Sequence, residues 1–122
     1  MSRLVGMSAL GGLIIAALIV GVMLLTASPA ANAQTVTVHK TPWCGCCAAW
    51  VDHLHDEGFD VIVKEEEDLT PIRSQLGVRA ELMSCHTAEV DGYVVEGHVP
   101  AREIRRLLEE KPDVNGVSGP GM

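Results

Sequence analysis

A chain of 122 residues with 9 basic against 16 acidic side chains has room for one small domain and carries a net charge of −7. That acidic balance argues against nucleic-acid phosphates and anionic lipid as partners and suits a cation ligand or plain solubility. Four cysteines in so short a chain direct attention to thiol or metal chemistry.

The first segment differs from the rest. Arg3 gives a positive start, residues 4–25 are apolar apart from Gly and Ser, and Ala31-Asn32-Ala33 reads as a small-x-small cleavage site. Residues 1–33 are therefore expected to be a secretory signal peptide or, uncleaved, a membrane anchor. Either way the remainder crosses a membrane and is expected in the periplasm. Without Arg3, 8 basic residues face 16 acidic ones, and all four cysteines lie in the exported part. An oxidising compartment makes two disulfides the default.

Residues 35–39 alternate as Thr-Val-Thr-Val-His, a strand signal, and Pro42 breaks the pattern. Beyond it Cys47, Trp50, Val51 and Leu54 fall at helical spacing, with Gly58 where a helix ends. Residues 59–63 predict a second strand, nearly continuous in apolar residues and so expected to be buried on both faces. Strand, helix and strand in that order favour a right-handed parallel crossover. The run Glu65-Glu66-Glu67-Asp68 reads as a solvated face. Thr70 is placed to cap a short helix with Pro71 at its first position and Gly77 after its last turn. Asp91-Gly92 between two strand-like runs predicts a hairpin. Pro100 opens a final helix bearing Ile104, Leu107 and Leu108, and residues 113–122 read as a flexible Gly/Pro tail. The expected domain, residues 34–112, is thus an α/β fold of strand, helix, strand, helix, hairpin and helix, the thioredoxin-like architecture.

Trp43-Cys44-Gly45-Cys46-Cys47 follows the thioredoxin pattern W-C-G-x-C, except that a third cysteine replaces the usual proline. A helix start favours thiolate over thiol through its free N–H groups and dipole. Cys44 and Cys47, three apart in the first turn, can form a disulfide, whereas a bond between adjacent Cys46 and Cys47 would be badly strained. Three thiols in four residues therefore cannot all be used in local disulfides, and three neighbouring thiolates repel one another unless a cation lies between them.

The hairpin supplies further donors. A two-residue turn at Asp91-Gly92 pairs Val90 with Tyr93 and Ala88 with Val95; extended, the same register sets Cys85 opposite His98. In a thioredoxin-like fold the segment before this hairpin lies against the start of the first helix, which brings Met83, Cys85 and His86 to the cysteine cluster. The predicted metal ligands are Cys44, Cys46, Cys47, Cys85, His86 and His98. Met83 adds a thioether for which core packing is the competing role. Trp43 is expected to shield the sulfurs, and His39, His53 and His55 are not expected to ligate. Thiolate, thioether and imidazole together suit Cu(I), as one ion or several, ahead of zinc.

Three stretches together carry a resemblance: Lys40-Thr41-Pro42-Trp43-Cys44-Gly45-Cys46-Cys47, Met83-Ser84-Cys85-His86-Thr87-Ala88, and residues 91–100, which end Gly97-His98-Val99-Pro100. The closing Arg105-Arg106-Leu107-Leu108 fits as well. The chain resembles the exported CopG-type copper-resistance proteins of bacteria, whose shared region is otherwise a domain of unknown function. The resemblance implies a thioredoxin-like fold that binds copper through Cys44, Cys46, Cys47, Cys85 and His86. It further implies several copper ions and interconversion of Cu(I) and Cu(II).

The expected function is copper sequestration or redox buffering in metal resistance, with no catalytic residue assigned. Two alternatives stand beside it. One is a thiol–disulfide oxidoreductase using Cys44 as nucleophile and Cys47 as resolving residue. The other is a copper chaperone that docks on a copper-handling protein.

Overall fold

The computed structural model describes residues 34–119. The expected leader, residues 1–33, lies outside the described residues, as does the end of the tail. Five strands and three α-helices follow in the order β1 (Thr35–Lys40), α1 (Gly45–Asp56), β2 (Asp60–Glu65), α2 (Thr70–Leu76), β3 (His86–Val90), β4 (Tyr93–Glu96), α3 (Ala101–Glu110) and β5 (Gly116–Ser118). A single 3₁₀ turn, Ala80–Leu82, precedes β3. No described helix is long and apolar enough to cross a membrane.

The sheet order is β2-β1-β3-β4-β5. β1 runs parallel to β2 and antiparallel to β3, where Val38 faces Ala88 and Lys40 faces His86. β3 and β4 form the hairpin in the expected register, with Ala88 opposite Val95 and Val90 opposite Tyr93. Its two turn residues, Asp91 at φ 48° and Gly92 at φ 81°, both adopt the left-handed backbone that a two-residue turn between twisted strands demands.

Side chains alternate across the strands, so the sheet has two different faces. Val36, Val38, Ala88, Val90 and Val95 point to one of them and bury Trp50, Val51 and Leu54 of α1 with Ala101 and Ile104 of α3. The Trp50 indole N–H donates to the carbonyl of Val99 at 2.9 Å, and His53 Nε2 accepts the Ala101 N–H at 3.3 Å at the start of α3. The other face is polar. His39 is buried there with Glu66 at 3.0 Å from one ring nitrogen and Glu89 at 3.0 Å from the other. Thr87 and Glu96, paired across the hairpin, are buried on the same face. α2 buries none of its own residues and meets this surface through Arg73.

Three local expectations change. β2 is an edge strand rather than one covered on both faces, with Ile62 52% exposed, because α1 and α3 pack over the central strands. Thr70 is not the cap of α2: it is the first helical residue, and Asp68 Oδ1 accepts its N–H at 2.8 Å. The Thr70 hydroxyl, and after it that N–H, hold the Asp68 carboxyl below its ordinary pKa. Finally, Gly116–Ser118, read as part of a mobile tail, add β5 in parallel to β4. A Cβ on Gly116 would stand 1.8 Å from the carbonyl oxygen of Val94, so this glycine permits a close strand approach.

Candidate metal centre

The start of α1 meets the approach to β3 at the end of β1. Cys44 is the residue before the first turn of α1, and its side chain makes no capping bond, which leaves the sulfur free for other chemistry. Cys46 and Cys47 occupy the first turn. Cys44 and Cys47 are joined as a disulfide with their Cα atoms 5.4 Å apart, while Cys46 and Cys85 are free thiols. The disulfide that forms is the one that the spacing allows within the cluster, and Cys46 is left free. Cys46 Sγ lies 3.5 Å from Cys44 Sγ, and Cys47 Sγ is 3.5 Å from the carbonyl oxygen of Cys85. Residues 38 apart in the chain are thereby brought together.

All four sulfurs lie within 4.8 Å of one another, and a second group with the same spread joins Cys85 to His86 and His98. Cys85 belongs to both. Its sulfur is 3.3 Å from His86 Nδ1 and 3.4 Å from His98 Nε2. The hairpin register carries onward as expected: the Gly97 N–H donates to the His86 carbonyl at 3.1 Å, and Cys85 and His98 come together just beyond. Gly97 makes this possible at φ 78°, where a Cβ would come within 2.9 Å of Ser84 Oγ.

Burial sets the protonation of these donors. The imidazole of His86 stacks on Trp50 with ring centroids 4.3 Å apart and faces His98 at 5.0 Å. Its loss of solvent, reinforced by neighbouring His98, lowers its pKa from 6.5 to about 4. His86 is therefore neutral near pH 7, the form in which imidazole binds a metal. Burial pushes the Cys85 thiol up, against the pull of the Ser84 hydroxyl, so a metal entering here displaces a proton.

The residues fit a soft cation. The His86 Nδ1 faces the Cys85 sulfur, while its buried Nε2 has no hydrogen-bond partner among the described residues. Four sulfurs and two imidazoles, with no carboxylate in either group, match the preference of Cu(I) better than that of a hard ion. Reduction of the Cys44–Cys47 disulfide is needed before all four sulfurs can serve as thiolates.

Two side chains expected beside the sulfurs are exposed. Trp43 is 71% exposed rather than packed as an apolar shield, because it sits with Pro42 at the tip of the turn that the Cys44 N–H closes on the Thr41 carbonyl at 3.2 Å. Met83 is not core packing; it is 44% exposed, two residues before Cys85. The sequence reading passed over Arg73 and Glu96, whose side chains grip the chain on both sides of Cys85 and His86. A charged residue at a buried strand position was the one signal that marked Glu96.

A family model described as a protein of unknown function, DUF411, matches residues 82–122. No curated protein matches the chain. Among solved structures it is similar to "Copper resistance protein copG- Form 2" at 43% identity and a TM-score of 0.71, covering 75% of this chain and 73% of that one. Form 1 of the same protein matches at 43% identity and a TM-score of 0.70, covering 75% and 72%. With its cysteine and histidine donors gathered as described, the chain belongs to the CopG-type copper-resistance family.

Proposed function

We propose that this protein is an exported, periplasmic copper-binding protein that sequesters and redox-buffers copper through Cys44, Cys46, Cys47, Cys85, His86 and His98. One observation carries the reading: four sulfurs from two distant stretches of chain lie within 4.8 Å of one another, beside two imidazoles. Copper is the cargo. The leader-like residues 1–33 support export, and the thioredoxin-like assignment is supported by the parallel β1–β2 pair beside the antiparallel β3–β4 hairpin. The names of the similar structures favour copper over zinc.

The disulfide gives the site two states. With Cys44 and Cys47 oxidised, Cys46, Cys85, His86 and His98 remain as donors. With that pair reduced, four thiolates are available, and the soft cation that they surround offsets their mutual repulsion. Two Cu(II) ions accept one electron each from the Cys44 and Cys47 thiolates, leaving two Cu(I) ions and the disulfide. Restoring both thiolates takes two electrons from an external dithiol, which is itself oxidised to a disulfide.

Anaerobic Cu(I) titration of the reduced protein tests the reading. Cys46→Ser should lower the affinity for Cu(I) or the number of ions bound. Unchanged stoichiometry and affinity would remove the central thiol from the site and overturn the assignment.

The disulfide at the start of α1 also favours a second reading, a thiol–disulfide oxidoreductase with Cys44 and Cys47 as the working pair. That reading predicts copper-independent reduction of protein disulfides that survives Cys46→Ser. Measured turnover in metal-free buffer distinguishes the two.

A further inference from the structure

Cys85 lies outside regular structure, between the 3₁₀ turn Ala80–Leu82 and the first residue of β3. A metal ligand on such a segment needs something else to fix it. The backbone holds His86, through its pairing with Lys40 in the sheet and the Gly97 N–H on its carbonyl, but Cys85 precedes the strand. The side chains of Glu96 and Arg73 provide the rest. Glu96 Oε1 accepts the Ser84 N–H at 2.8 Å, and its Oε2 accepts the Thr87 hydroxyl at 2.5 Å. Arg73 Nη2 donates to the carbonyl of Ser84 and, at 3.1 Å, to Glu96 Oε1, while its Nε donates to the Thr87 hydroxyl at 3.1 Å. Both polar backbone groups of Ser84 and the hydroxyl of Thr87 are thereby held, one on each side of Cys85–His86.

We infer that Arg73 and Glu96 are positioning residues for the metal centre, fixing Cys85 and His86 from the opposite side of the sheet; the inference rests on the copper reading above. A buried carboxylate is costly unless paired and hydrogen-bonded, and an apolar residue would pack at this place without that cost. Glu96 has only 3% of its side chain exposed and finds three donors, all on groups that flank the ligands or on Arg73. Neither residue touches a donor atom. Their effect is on where Cys85 and His86 stand, and it persists whether or not Cys44 and Cys47 are oxidised, because the bracket uses neither cysteine. Preorganised in this way, Cys85 and His86 meet an incoming ion without a search for the bound geometry.

The test replaces Glu96 by Gln, which keeps the shape and sets an amide NH₂ against donors. Thr87→Val removes only the hydroxyl and serves where the buried Gln prevents folding. Two quantities are read: Cu(I) affinity against a competing chelator, and the rate at which iodoacetamide alkylates Cys85 relative to Cys46 in the reduced, metal-free protein. Expected are a 10–100-fold loss of Cu(I) affinity at unchanged stoichiometry and a severalfold rise in the Cys85-to-Cys46 ratio. A general loosening of the fold raises both alkylation rates together; that result, or an unchanged ratio, overturns the positioning role. Should the wild-type protein bind no Cu(I), the copper reading falls, and the metal-free ratio still decides whether the bracket holds Cys85.

Discussion

At the scale of the residue, His86 is a fully buried imidazole beside the sulfur cluster. Its pKa of about 4 in the folded protein lies below the ordinary 6.5, so the unfolded chain takes up the proton first as the pH falls. The stabilising effect of keeping His86 neutral is complete above pH 6.5 and is lost as the pH drops through about 4. A shift of this size corresponds to about 3 kcal/mol. Urea unfolding of metal-free protein at pH 7 and pH 4 should reveal the loss, and His86→Phe, which stacks on Trp50 without titrating, should flatten the dependence. The Cys85 thiol acts in the other direction. Because burial raises its pKa, Cu(I) must displace a proton at neutral pH, and apparent Cu(I) affinity should rise from pH 6 to pH 8. A flat profile would mean that Cys85 gives up no proton. Much of this neighbourhood was legible in the sequence: the Asp91-Gly92 turn fixes a register, and that register carries Cys85 to His98. The grip of Arg73 on Ser84 was not legible, since it depends on how a short polar helix lies across the sheet. Nor was the His39 clamp between Glu66 and Glu89, whose partners come from a loop and from the neighbouring strand.

At the scale of the element, the hydrophobic period reveals α1 and α3 because each buries one stripe, and it misleads for β2. Val61, Ile62 and Val63 in a row resemble a central strand, yet β2 ends the sheet and leaves two of them substantially exposed. Composition misleads again at β5. Glycine and proline suggest a loose tail, but Gly116 is present because β4 comes too close for a side chain. Gly116→Ala should therefore force β5 from the sheet and cost about 1–3 kcal/mol, a fall in Tm of at least about 4 °C for a domain of this size. Gly45→Ala is the control, because a Cβ there meets nothing within 4 Å, and stability should stay within about 0.5 kcal/mol. Equal stability of the two variants would mean that β5 does not hold its place against β4.

At the scale of the whole molecule, the sheet separates two tasks. Its apolar face, under α1 and α3, carries the core. Its polar face, under α2, carries ion pairs and hydrogen bonds that end beside the donor cluster. The cluster forms where these meet at one end of the sheet, so soft donors distant in sequence become neighbours only in the folded chain. The central claim is that Cys85 completes a site begun by Cys44, Cys46 and Cys47. The most direct measurement is competition for Cu(I), under anaerobic and reducing conditions, between a chelator and either the wild-type protein or Cys85→Ser, with far-UV circular dichroism to verify the fold. A common site predicts at least a tenfold weaker hold on Cu(I) in a folded Cys85→Ser variant. Equal affinity in the two proteins would contradict it.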